Sequence, residues 1–178
     1  MKLVWGIAAA VALIVVSAEA HGPTRQKLVE TIDIDRSVEK VWAIVKEFDS
    51  LAKWHPVIAS SPATKGNDVG SVRTLTLKAV GEPQLQEELL SYDDGEHTYH
   101  YEMKDHDPKI LPVQNYTSWL TVKDNGHGGA IVEWKGAYYR GDQRNDPLPE
   151  LNDDAANLAV KGVYRSGLDN LKKIAESQ

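Results

Sequence analysis

Ser71-Val72-Arg73-Thr74-Leu75-Thr76-Leu77-Lys78 alternates in character residue by residue, and that period of two decides the fold. Arg73, Leu75 and Leu77 share one side and Thr74, Thr76 and Lys78 the other, as in a strand with one face buried. The run extends over Ser71–Val80, and four more of its kind follow: Leu85–Asp93, His97–Met103, Asn115–Lys123 and Ala130–Arg140. Gly81-Glu82-Pro83, Asp93-Asp94-Gly95, Asp107-Pro108 and Asn125-Gly126 sit between them as turn chemistry, so the runs read as an antiparallel meander. The same parity turns Glu87, Leu89, Tyr99, Tyr101, Met103, Tyr116, Ser118, Leu120, Val122, Trp134, Gly136 and Tyr138 inward with Arg73.

Upstream, Leu28–Ile34 reads as a first strand. Ser37 is placed to cap a helix through Val38, Val41, Trp42, Val45 and Phe48, and a second short helical turn runs from Asp49-Ser50 to Trp54-His55-Pro56. Pro56 drives His55 out of the helical region and ends that turn. Ser60–Gly70, with its Pro, Gly, Asn and Asp, reads as a loop. Downstream of Pro147 and Pro149, Leu151, Ala155, Leu158, Ala159, Gly162, Val163, Gly167, Leu168, Leu171 and Ile174 recur near helical spacing and predict one long helix. Gly162 and Gly167 on that face each cost about 1 kcal/mol against Ala, so a close approach is expected there. The class is therefore α+β: a curved sheet wrapped around a carboxy-terminal helix, with a hollow between them.

The composition narrows the functions. The 178 residues carry 20 Lys+Arg against 26 Asp+Glu, a formal net charge of −6, with no basic run to meet nucleic-acid phosphates. With no Cys there is no disulfide, thiolate chemistry, lipoprotein anchor or Cys-held metal. Lys2, the apolar run Leu3–Val16 and Ala18-Glu19-Ala20 read as a secretory signal, residues 1–20, cut before His21. A single domain, 21–178, then remains, with no membrane association after cleavage. A Cys-free, acidic, exported chain points to a bacterial periplasm.

Val41-Trp42, Phe48-Asp49, Trp54-His55-Pro56, Val72-Arg73-Thr74-Leu75, the run Glu87–Asp93, Pro112-Val113, Asn115-Tyr116, Val132-Glu133-Trp134 and Gly167-Leu168-Asp169-Asn170-Leu171 carry a resemblance. Together they resemble the polyketide cyclase/dehydrase branch of the START-like helix-grip superfamily (SRPBCC, START/Bet v 1-like). Within it, the stretch Trp134–Gly141, Asn145-Asp146-Pro147, the stretch Asn152–Ala156 and the stretch Val160–Tyr164 look most like the MxaD-type periplasmic methanol-oxidation proteins of methylotrophs. That narrower resemblance implies an accessory protein assisting electron transfer between methanol dehydrogenase and its cytochrome c, with no cofactor of its own. A more distant resemblance, to plant abscisic-acid receptors, implies polar pocket residues at His55, Glu87, Tyr116 and Ser118, a gate at Lys78–Gln84 and a latch at Lys109–Val113.

The expected cavity wall is His55, Arg73, Leu75, Leu77, Glu87, Leu89, Tyr99, Tyr101, Tyr116, Ser118, Trp134, Tyr138, Ala159 and Val163, an aromatic and apolar lining with a few polar groups. Arg73 and Glu87 on adjacent strands read either as a register-fixing ion pair or as an anchor for a carboxylate or keto/hydroxy ligand. His55 reads as an acid or base, or simply as the end of its turn. Trp119, Tyr139, Arg140 and Arg144 are candidates for a partner surface; Trp119 packing under the amino-terminal helices is the plainer reading. No metal site is expected: His97 and His100, three apart on a strand, point to opposite faces, and His106 and His127 fall in loops. His21, once amino-terminal, is a chelator of copper only by accident. Three functions stay open: a redox accessory protein, a module binding a small hydrophobic ligand, and a cyclase or dehydratase using Glu87 or His55 as base with Arg73 or a Tyr hydroxyl on the enolate.

Overall fold

β1 (Gln26–Ile34) leads into α1 (Val38–Val45) and α2 (Leu51–Trp54), which are followed by β2 (Ile58–Ser60), β3 (Val72–Leu77), β4 (Gln84–Asp93), β5 (Thr98–Met103), β6 (Val113–Asp124), β7 (Ala130–Arg140) and α3 (Asp153–Glu176). This computed structural model describes residues 22–104 and 106–178; the expected signal segment 1–20 and His21 lie outside the described residues, as does Asp105. No helix among the described residues is long and apolar enough to cross a membrane.

The strands form one antiparallel sheet in the order β1-β7-β6-β5-β4-β3-β2. Alternation does the work: in β3, Arg73 and Leu75 are buried, and in β5, Tyr99 and Tyr101 are, while their neighbours face outward. Arg73 sits opposite Glu87, Leu89 opposite Tyr101 and Ser118 opposite Gly136. Asn115, at φ 48°, makes a bulge in β6, which turns both Val113 and Tyr116 inward although they are an odd number apart.

Three local readings differ from the sequence expectation. β2 adds a seventh strand at the sheet edge, where its three residues are too few to show a period. α1 stops at Val45 instead of running through Phe48, and the Phe48 N–H donates to the Asn67 side chain; Ser37 makes no side-chain cap. The buried face of α3 is Ala156, Val160, Tyr164, Gly167, Leu168, Leu171 and Ala175. Leu158 is 75% exposed, and a methyl built on Gly162 would meet nothing within 4 Å, so no neighbour crowds it. Gly167 does face a close approach: its methyl would lie 2.6 Å from His55 Cδ2 and 2.9 Å from Trp134 Cζ3. The Asn152 side chain caps α3 by accepting from Ala155 N at 2.9 Å.

Candidate functional site

Between the concave face of the sheet, α2 and the middle of α3 lies a cavity of about 100 Å³. The sheet contributes Leu75, Leu77, Leu85, Glu87, Tyr101, Met103, Tyr116 and Trp134. α2 and the chain after it add Leu51, His55, Val57 and Ile58; Ile110 and Leu111 come from the loop before β6, and Val163 from α3. Of the residues expected on the wall, Arg73, Leu89, Tyr99, Ser118, Tyr138 and Ala159 are not part of it. Arg73, Leu89, Tyr99, Ser118 and Tyr138 are buried behind it, and Ala159 packs against the core from α3. Leu51, Val57 and Ile58 escaped the sequence reading because they lie in a turn and a short strand without a period. Ile110 and Leu111 fall within the segment compared to a latch.

Arg73 and Glu87 form a buried pair, Nε to Oε2 at 2.6 Å, with the two side chains 1% and 5% exposed. Arg73 Nη1 donates to the Phe48 carbonyl at 3.0 Å, and the guanidinium lies 4.3 Å from the Phe48 ring centre and 4.7 Å from that of Tyr101. Burial is the largest effect on Arg73 and opposes its charge, but the facing Glu87 carboxylate together with Tyr99 and Tyr101 more than offsets it, and the group stays protonated. Burial pushes the Glu87 carboxyl up, and Arg73 pulls it part of the way back.

Behind the wall runs a polar chain whose direction is fixed by proton counting. Ser118 Oγ donates to the Lys135 carbonyl at 3.0 Å, so it can only accept from Tyr164 Oη at 2.9 Å. Tyr164, its single proton spent there, accepts from Tyr116 Oη at 2.7 Å. Trp134 Nε1–H is shared between Tyr101 Oη at 2.9 Å and Ser118 Oγ at 3.0 Å. Burial holds the phenols of Tyr101, Tyr116 and Tyr164 far above their ordinary range, so all three remain neutral. Tyr164 stands outside both the apolar pattern read for the long helix and the expected cavity wall, although Ala156, Val160 and Tyr164 at intervals of four carry the signal.

His55 leaves α2 with extended backbone ahead of Pro56. Its Nε2 lies 3.0 Å from the Val163 carbonyl, an acceptor only, so Nε2 carries the proton. Burial drives its pKa down to about 4 against the opposing effect of that bond. The ring is therefore neutral at pH 7, and its Nδ1 is buried without a partner. Because the folded pKa is depressed below the ordinary 6.5, the unfolded chain binds more protons between the two values. Stability is then complete above about pH 6.5 and lost as the pH falls toward 4, by about 3 kcal/mol. Denaturant melts at pH 7 and pH 4.5 check this against His55→Gln, which keeps a donor for Val163 and does not titrate. The variant is expected to lose measurably less stability on acidification, and equal losses would contradict the depressed pKa.

The candidate partner residues are scattered. Trp119 does not pack under the amino-terminal helices: it lies on the outer sheet face, its ring centre 3.8 Å from that of His100, with Lys135 Nζ 4.9 Å above it. Tyr139 lies beneath Arg25 at 5.8 Å. Arg140 is 7% exposed and is not a surface residue. It is consumed in tying the β7–α3 corner together, donating to the Asp142 and Arg144 carbonyls at 2.7 Å and to Asp153 Oδ2 at 3.0 Å. Arg144 is exposed but engages Asp142, whose carboxyl it holds well below the usual range. Among the described residues no His, Asp or Glu cluster is arranged to hold a metal ion.

Among solved structures, an uncharacterised protein of Bacillus thuringiensis is 29% identical, with a TM-score of 0.71, covering 86% of this chain and 100% of its own. The protein XoxI of Bacillus cereus is also 29% identical, with a TM-score of 0.70, covering 83% of this chain and 94% of its own. Norcoclaurine synthase of Thalictrum flavum, solved with dopamine and hydroxybenzaldehyde, shares the fold at 15% identity and a TM-score of 0.67, covering 100% of this chain and 98% of its own. No curated protein matches. The profile described as polyketide cyclase / dehydrase and lipid transport matches residues 25–176, from the start of β1 to the end of α3. A match over both the sheet and the helix that bound the cavity means that the chain belongs to this family.

Proposed function

We propose that the protein is a binding module for a small, largely apolar ligand held between the sheet and α3. The observation that carries this reading is the cavity itself. Its wall is aliphatic and aromatic, and among the described lining residues only His55, Glu87, Tyr101, Tyr116 and Trp134 carry a nitrogen or oxygen in the side chain. Conversion of the ligand is less well supported than retention. Glu87 Oε2 is committed to Arg73 at 2.6 Å, and a histidine with a pKa of about 4 is a weak base. Titration with toluene, followed by two-dimensional NMR, tests the reading. Shifts confined to Leu75, Leu85, Tyr101 and Val163 are expected, and they should vanish in Val163→Phe, which fills the space. No shift at millimolar toluene would refute it.

A second reading makes the protein an exported periplasmic accessory that assists electron transfer between methanol dehydrogenase and its cytochrome c. Its support is the sequence of the β7–α3 corner, Trp134–Gly141 and Asn145-Asp146-Pro147, together with the segment 1–20. Weak, salt-sensitive binding to either immobilised protein is the expected result. Absence of binding at low ionic strength would remove this reading and leave the first untouched.

A further inference from the structure

The cavity wall carries hydrogen-bond acceptors beside one hydroxyl, that of Tyr101, which accepts from Trp134 and keeps its own proton. His55 spends its one proton on the Val163 carbonyl, which leaves Nδ1 as a bare lone pair, buried and unpartnered. The Nε2–Cδ2 edge of the ring presses on α3, where a methyl on Gly167 would come within 3.0 and 2.6 Å of those atoms. Nδ1 therefore occupies the opposite edge of a ring that forms part of the cavity wall. Glu87 reaches the same wall, and a carboxylate only accepts. An acceptor left unpaired out of water costs about 1–3 kcal/mol, which a ligand O–H directed at Nδ1 recovers.

Charge argues against ions of either sign. Glu87 is already neutralised by Arg73, which stands behind the wall, and no other charged side chain among the described residues lines the cavity. A carboxylate would meet the Glu87 carboxylate and a neutral imidazole, with only the Tyr101 hydroxyl to donate to it. An ammonium group would find its only counter-ion engaged, and a buried charge without its own partner is strongly disfavoured. Volume sets the size: about 100 Å³ is below the roughly 150 Å³ of an apolar cavity known to take up benzene, so a single ring is the upper limit and takes some widening to enter.

Building on the reading of this cavity as a ligand site, we propose that it selects a neutral hydroxyl compound of about one ring, a phenol or an alcohol. The ligand O–H donates to His55 Nδ1, and carboxylates and ammonium compounds are refused.

Toluene, phenol, benzoate and benzylammonium at pH 7, each titrated into the wild-type protein with NMR detection, test this. Toluene and phenol are expected to bind, with benzoate and benzylammonium at least tenfold weaker than phenol. The His55 Nδ1 nitrogen resonance should move with phenol and stay in place with toluene. In His55→Phe the ratio of phenol to toluene affinity should fall about tenfold, the worth of one hydrogen bond. The nitrogen resonance gives the answer in the wild-type chain if that variant does not fold. Toluene binding with an unmoved Nδ1 in phenol, or benzoate binding as well as phenol, overturns the proposal and leaves the ligand-site reading standing. Failure of both toluene and phenol to bind overturns both.

Discussion

Glu87→Ala is expected to cost about 5 kcal/mol and Arg73→Ala about 3 kcal/mol, with the double variant well short of their sum. The two groups face each other across β3 and β4 at 2.6 Å, and each is almost wholly removed from water. The asymmetry follows from what each survivor can do alone. A guanidinium cannot shed its proton, so Arg73 without Glu87 keeps its charge, supported only by the Phe48 carbonyl and the faces of Phe48 and Tyr101. A carboxyl can take a proton up, and burial already pushes Glu87 that way. This gives Arg73→Ala a pH signature. With the guanidinium gone, the folded pKa of Glu87 lies further above its unfolded value, so the variant is least impaired at low pH and loses stability as the pH rises through that folded pKa. Denaturant melts of the two single variants and the double at pH 5 and pH 8 supply the measurements. Additive losses would mean that the groups are not coupled, and a pH-independent Arg73→Ala deficit would mean that Glu87 is not the group left stranded.

The pair was legible because strand parity is robust: a period of two over β3 and β4 assigns both residues to the inner face, and only one register sets them opposite each other. Tyr101, Tyr116 and Trp134 reached the cavity wall by the same logic. Parity fails where the backbone is irregular, which is why Leu51, Val57 and Ile58 were missed. It also cannot tell a residue on the wall from one behind it: Arg73, Tyr99 and Ser118 share the inward face and yet stand behind the lining. Arg140 was read as surface because a lone Arg at a strand end usually is exposed. Its burial depends on the Asp142 and Arg144 carbonyls and the Asp153 carboxylate, which converge on it only once the β7–α3 corner has formed. The bare Nδ1 of His55 was likewise invisible: it follows from the Val163 carbonyl, a partner far along the chain.

Gly136→Ala is expected to cost about 4 kcal/mol, whereas Gly162→Ala should stabilise by about 1 kcal/mol, although it is at Gly162 that the helix pattern predicts a close approach. A methyl on Gly136 would sit 2.3 Å from Tyr164 Oη and 3.3 Å from its Cζ. Tyr164 has little room to withdraw, since its ring stacks on Trp134 with centres 4.5 Å apart and its helix is packed on β1 and β7. Overpacking accounts for about 2 kcal/mol. Moving the hydroxyl away from Ser118 and Tyr116 leaves buried partners unmade and accounts for about as much again. Gly162 faces open space at an ordinary helical position, so Ala there only removes backbone freedom from the unfolded chain. The mechanism for Gly136 has its own control: Tyr164→Phe deletes the obstructing oxygen, and the methyl then meets the ring edge at 3.3 Å and the Thr117 carbonyl at an ordinary 3.6 Å. The double variant Gly136→Ala/Tyr164→Phe should therefore be more stable than Gly136→Ala alone, although Tyr164→Phe is itself destabilising. If the second substitution deepens the loss instead, the glycine is required by the strand backbone and not by the hydroxyl that passes over it to reach Ser118.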